Sequence, residues 1–332
     1  MPSHFVAPSI PVTIGTPSKR LLELRLMSHY MAMASESFAS IFLSATRSGA
    51  ELFTSWTTRL SFQHEYVMDA LLSFSAFTLR KLEVSDSSVA RASHSYMLRA
   101  IAGQANQLRA GLNEENSEAL FASSLLIAYT SATAQQHLSS YKDDSLPNAW
   151  FEPWKGPRAI AIEGFRCFHS PEVSELLEFE MAVAHPGPEI LYSGFAFLLE
   201  GLDKETTDIE TIRAYERAVH ILQQIVCSPY QMHPFRFASG AAPRFSQLFV
   251  DGDPRACAIT GYFFMLLKQG KKIWWLPSPT DGQFRTLIDS LPAEWKSKMA
   301  WAERGFYGED QRILEAPTAL QPSSSETEEN HS

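Results

Sequence analysis

The sequence is short of the residue types that mark several large classes of protein. It has three cysteines in 332 residues, Cys167, Cys227 and Cys257. They are far apart and odd in number, so they can build neither a disulfide framework nor a four-cysteine zinc site. Three reduced, mostly buried thiols of an intracellular protein are expected. Basic charge is also scarce. Twenty-eight Lys and Arg stand against 37 Asp and Glu, a formal net charge of −9. A broad nucleic-acid surface normally carries the opposite balance, because binding works by releasing counterions from phosphates. The longest apolar stretch, Ala256–Leu267, stops at Lys268, well short of the roughly 20 residues that cross a bilayer. The first twenty residues lack the basic and apolar regions of a secretory signal. A soluble chain without a membrane span is therefore expected.

Catalytic signatures are missing too. The chain contains no G-x-G-x-x-G, no Walker loop, no G-x-S-x-G and no H-E-x-x-H. His64-Glu65 starts such a pattern, but Asp69 stands five residues on where a second histidine would be needed four on. A helix N-terminus is the better reading of that pair. Asp143-Asp144 beside Lys142 reads as a solvated loop rather than an acid–base pair. His185 and His233 each precede a proline, which favours extended or turn backbone. Cys257, inside the apolar run, would have a poorly ionised thiol suited to packing. These residues give no catalytic, cofactor-binding or metal-binding site, and a non-enzyme is expected.

What the chain does contain is helical periodicity. Hardly any segment alternates with period two. Apolar residues recur at three and four. A proline-rich lead-in over 1–18 gives way at Ser18 to a helix with Leu21, Leu24, Met27, Tyr30, Ala34 and Phe38 on its apolar stripe, ended or broken at Gly49. A second helix begins near His64 and buries Val67, Ala70, Leu71, Phe74, Phe77 and Leu79. Asp86 and Ser87 open a third, with Val89, Ala92, Tyr96, Leu98, Ile101, Ala105 and Leu108 inside and Gly111 at its C-terminus. Asn113 is a good N-cap for the next helix, whose residues up to Tyr129 are apolar nearly all round and belong in the core. A polar connection is expected over 136–153, helices over 154–168, 171–184 and 206–227, a loop-rich stretch over 228–253, a strong helix over 254–268, and short helices near 281–290 and 292–302. The reading is all-α: a multi-helix bundle over 19–305 between a disordered lead-in, 1–18, and a Ser- and Glu-rich tail, 306–332.

Tryptophans 150, 154, 274, 275, 295 and 301 fall in connections or at helix ends. Two readings stay open. Large amphipathic rings plug the ends of a bundle, or they line the mouth of an apolar pocket between helices.

The order of segments carries a family resemblance. LLELRLMSHYMAMA is followed by the aromatic connection at Trp56 and by LSFQHEYVMDALLSFSAFTLR. SHSYMLRAIAGQANQL precedes NEENSEALFASSLLIAY, with Asn116, Ala119, Leu120, Phe121 and Tyr129 in the matching places. Trp154, Gly156 and Ile160 follow, then PRACAITGYFFMLLKQGKKIWWLP and EWKSKMAW. Over residues 20–305 this resembles the C-terminal regulatory domain of fungal Zn2Cys6 transcription factors of the sterol uptake control type. The resemblance implies an α-helical bundle with an apolar central cavity able to take a sterol or other lipid, a surface for a homodimer or a DNA-binding transcription factor partner, and a nuclear, alternatively cytoplasmic, transcriptional regulator of a sterol-related or secondary-metabolite pathway. Phe121, Leu125, Tyr129, Phe263, Phe264, Leu267, Trp274 and Trp275 are the candidate lining of such a cavity.

Two departures qualify the resemblance. The family's six-cysteine zinc cluster has no counterpart here, so direct DNA binding is not carried over. Trp274-Trp275 is followed by Leu276, Pro277, Ser278 and Pro279 rather than by a glycine-containing turn. A lipid-binding module with no transcriptional role, and an accessory protein or enzyme of a biosynthetic gene cluster, are the alternative readings.

Overall fold

A computed structural model describes residues 19–41, 52–138, 150–171, 173–174, 177, 194–227, 234, 236–270 and 273–308. The lead-in, Gly49, Asp143-Asp144, His185, His233 and the tail beyond Gly308 lie outside the described residues. Every described element is helical, and no strand occurs among them. The all-α reading holds.

Helix α1 spans Lys19–Ile41. A π-turn, Leu52–Trp56, leads into α2, Thr57–Gln63. Then come α3, Glu65–Leu82, α4, Ser87–Ala110, and α5, Ser117–Leu138. Helix α3 is the hub of this half, packing on α1, α2, α4 and α5. Its buried face includes Val67, Ala70, Leu71, Phe74, Phe77 and Leu79, as the periodicity requires. His64 caps it with extended backbone (φ −130°, ψ 114°), the helix-start role expected of His64-Glu65.

Local signals set several boundaries. Asp86 Oδ1 accepts from Ser88 N at 2.9 Å and Val89 N at 3.3 Å, satisfying donors left over at the start of α4. Gly111 ends that helix at φ +91°, a conformation that costs a side chain but not glycine. Asn113 folds the intervening turn: its Oδ1 accepts from Glu115 N and Asn116 N, and Asn116 Nδ2 donates to the Gly111 carbonyl. The helix proper therefore starts later than Asn113, at Ser117.

Helix α6, Lys155–Gly164, leads towards the second half. That half comprises α7, Ile209–Cys227, two short helices, α8, Arg236–Gly240, and α9, Pro243–Val250, then α10, Pro254–Gln269, α11, Asp281–Ser290, α12, Ala293–Ser297, and α13, Ala300–Phe306. Helix α10 is its hub. Every residue from Arg255 to Leu267 is buried. Asp253 caps it, accepting from Ala256 N at 2.9 Å. A reciprocal cap between Thr280 and Gln283 starts α11.

Three expectations need correction. The stretch 228–253 is not simply loop: Pro243 starts α9 at the first helical turn, where its missing N–H costs nothing. The buried stripe of α1 runs through Leu26, Tyr30, Met33, Ala34 and Phe38, while Leu21 and Leu24 are 61% and 58% exposed. The sequence around α1 is apolar on more than one face, so spacing alone does not choose the phase. On α4, Leu98, Ile101 and Leu108 are exposed rather than inside. The buried face keeps the expected Val89, Ala92 and Tyr96 and adds Ala100, with Gly103 allowing close approach to α3: a Cβ there would stand 2.5 Å from Tyr66 Cβ.

Candidate functional site

The candidate lining residues come from α5, α10 and the turn after α10, and the structure distributes them over several places. Tyr129 and Trp275 meet, with ring centroids 5.6 Å apart. Around them stand Phe38, Phe74 and Trp154: Trp275 lies 5.3 Å from Phe38 and 5.0 Å from Phe74, and Tyr129 lies 5.0 Å from Trp154. Phe53 stacks on Phe38 at 3.8 Å. Phe263 and Phe264 form a second group, 5.6 Å apart, with Trp150 against both at 5.7 and 5.2 Å and Phe237 stacked on Phe263 at 4.7 Å. Phe121 sits two turns back along α5, packed on Phe168 at 5.5 Å and Trp56 at 6.4 Å. Leu125 and Leu267 are buried on the same two helices.

Trp274 does not join them. It is 45% exposed and meets the His29 ring edge-on at 6.4 Å. The paired tryptophans thus divide, one ring inward and one outward, as adjacent residues in a turn must. Trp150, Trp154 and Trp295 are buried as well. Sequence reasoning missed Phe38, Phe53 and Phe74 as companions of Tyr129 and Trp275. Phe38 and Phe74 stood on recognised stripes, and their meeting is a tertiary fact with no local signal.

The Tyr129–Trp275 cluster is almost wholly aromatic, yet the buried Trp275 Nε1 has no hydrogen-bond partner among the described residues. A buried unpaired donor costs about 1–3 kcal/mol. Other buried polar atoms without a partner are His220 Nδ1 and Nε2, Gln223 Oε1 and Gln224 Oε1, on one turn of α7. Burial lowers the His220 pKa, disfavouring the charged ring.

Lys81, at the end of α3, donates to the Trp275 carbonyl at 3.0 Å, and burial pulls its pKa down to about 8. At the start of α5, Glu118 ties three segments together. Its Oε2 accepts from Trp56 Nε1 at 3.0 Å, and its Oε1 accepts from His169 N at 2.9 Å and Ser170 N at 2.7 Å. Burial pushes the Glu118 pKa up, but these donors together outweigh it and the net shift is down.

Cys257 is buried and its thiol is pushed up to about 12, the unreactive thiol expected of it. Cys227, by contrast with the expectation of burial, is exposed. No group of three or more His, Cys, Asp or Glu able to hold a metal occurs among the described residues, and none of their helices is long and apolar enough to cross a membrane.

Helical order and aromatic centre together invite comparison with known proteins. A Zn(2)-C6 fungal-type transcription factor of Gibberella zeae is 26% identical over 329 residues, covering 91% of this chain and 65% of the relative. The chain is similar to fungal zinc-cluster transcription factors. Sterol uptake control protein 2 of Candida albicans is 24% identical over 299 residues, covering 81% of this chain and 40% of that protein. The chain thus spans less than two thirds of the length of the curated relatives it matches. No family model matches it. The first of these relatives carries the name of a transcription factor, which supports a transcriptional regulator.

Proposed function

We propose that this chain is the ligand-responsive regulatory domain of a fungal transcriptional regulator, acting in the nucleus through a DNA-binding module or partner. The observation that carries the ligand part is the unpaired Trp275 Nε1 inside the Tyr129–Trp275 cluster. An apolar molecule bearing one hydroxyl or carbonyl oxygen, such as a sterol, matches it: rings and aliphatic carbons against Phe38, Phe74 and Tyr129, and one acceptor for the indole N–H. Burial would supply the affinity at about 25 cal/mol per Å², less the ordering costs of association. The oxygen would set orientation.

The lysine bond to the Trp275 carbonyl suggests how occupancy would be transmitted, because displacing the indole strains the link between the end of α3 and the turn after α10. The test is thermal unfolding against a panel of sterols and other lipids, on the wild type and Trp275→Phe. Saturable stabilisation by a mono-hydroxylated sterol, weakened about tenfold by Trp275→Phe, is the expected result. No saturable shift with any member of the panel would remove the ligand part and leave a transcriptional module alone.

A further inference from the structure

Helix α4 presents a face that nothing among the described residues covers. Leu98, Ile101 and Leu108 are 70%, 46% and 40% exposed. With Ala105 they follow the 3-4-3 spacing that puts side chains on one strip of a helix. Single exposed aliphatics are ordinary on protein surfaces, whereas a strip along three turns is a candidate contact.

The charge on this helix has one sign. Between Ser87 and Ala110 there are Arg91, Arg99 and Arg109 and no Asp or Glu, in a chain of formal net charge −9. Arg99 is committed elsewhere, with its Nη2 2.5 Å and its Nε 3.0 Å from the Asp69 carboxylate. Arg91 reaches only Ser87 Oγ, at 3.4 Å, and Arg109 only Asn106 Oδ1, at 2.6 Å. Neither forms an ion pair among the described residues. Helical rotation sets both on the side of Leu98, with Arg109 at the C-terminal end of the strip and Arg91 about two turns, roughly 10 Å, before its first residue. The nearest acidic residues in sequence, Asp86, Glu114 and Glu115, lie outside the helix.

A second copy of this chain fits poorly. It would bring the same arginines against these two and set like charge beside like charge. A membrane surface fits poorly as well, because the strip has no Trp or Phe to anchor it. A short amphipathic helix fits both the length and the sign. We propose that α4 docks an acidic amphipathic helix of another protein, its aliphatic side chains on Leu98, Ile101 and Leu108 and its carboxylates on Arg91 and Arg109. This inference stands apart from the ligand reading.

Fluorescence anisotropy on the full chain tests it. The probe is a stapled peptide of about five turns, with Leu at heptad contact positions and Glu beside them, and its counterpart carries Lys beside them. The Glu peptide is expected to bind at micromolar strength, at least about tenfold tighter than the Lys peptide, and to weaken as salt rises. Leu98→Gln with Ile101→Gln, and separately Arg91→Glu with Arg109→Glu, should each cost about tenfold while the unfolding temperature stays put. Equal binding of the two peptides, or no effect of either variant pair, overturns the proposal. So does sedimentation showing a dimer that the Gln variants dissolve, or binding to vesicles of anionic phospholipid in place of the peptide.

Discussion

The Lys81 ammonium lies 3.0 Å from the Trp275 carbonyl oxygen, joining two residues 194 positions apart. It links the hub helix of the first half to the turn that carries the paired tryptophans. Because burial lowers the Lys81 pKa to about 8, the unfolded chain binds this proton more tightly than the folded one. Stability from this group therefore rises between about pH 8 and 10.5. Lys81→Met should remove that rise, measurable as urea midpoints across the window. Acylation followed by mass spectrometry should show Lys81 half-reactive near pH 8. Half-reaction above pH 10 would contradict the buried amine.

Asp86 has its pKa held well below the usual carboxylate range, by Ser88 first and then by Arg25, with the backbone donors Val89 and Ser88 adding to them. A depressed folded value contributes stability that is fully present above about pH 4 and lost as pH falls. Asp86→Ala should cost about 1 kcal/mol at neutral pH, the usual price of a helix cap. Asp86→Asn should retain the cap and flatten the acid limb. Denaturant unfolding of both variants from pH 7 to 3 checks the sign.

Gly103 allows α4 to approach α3 with its backbone. A Cβ there would meet Tyr66 Cβ at 2.5 Å, an atom that moves only with the backbone. Gly103→Ala should destabilise by about 1–3 kcal/mol despite the better helix propensity of alanine. Gly156, with nothing within 4 Å, is the control. A neutral Gly103→Ala in chemical denaturation would mean that the two helices sit farther apart.

Glu118 holds Trp56 and the backbone after Phe168 in one place. Glu118→Gln keeps one acceptor of the two and should cost about 1 kcal/mol. Glu118→Ala strands the Trp56 N–H and both backbone donors and should cost about 3 kcal/mol. Trp56 fluorescence, isolated by replacing the other tryptophans in turn, should shift to the red only in the alanine variant.

Where a residue's role was set by its neighbours in sequence, it was legible in advance: Asp86 as cap, Gly111 as terminator, His64 as helix start, and the unbroken burial of α10. Tyr129 was identifiable as core from the apolar helix around it, whereas Trp275 was a candidate only through the family resemblance. The phase of a stripe was harder. On α4, Val89, Ala92 and Tyr96 are buried as their spacing requires, while Leu98, Ile101 and Leu108, also spaced for an inward face, are exposed. The partition of Trp274 from Trp275 is a matter of turn geometry that two identical neighbouring residues cannot signal. The split of the pocket candidates between two aromatic groups depends on how the halves meet, which no local pattern carries.

The central claim is that these helices regulate transcription in response to an apolar ligand. Its most direct test fuses the chain to a heterologous DNA-binding domain in yeast and measures a reporter with sterol synthesis active and then inhibited. The account predicts a reporter that changes severalfold on sterol depletion in the wild-type fusion and stays fixed in Trp275→Phe. A reporter indifferent to both sterol supply and the Trp275 substitution, from a fusion that is expressed and nuclear, would contradict it.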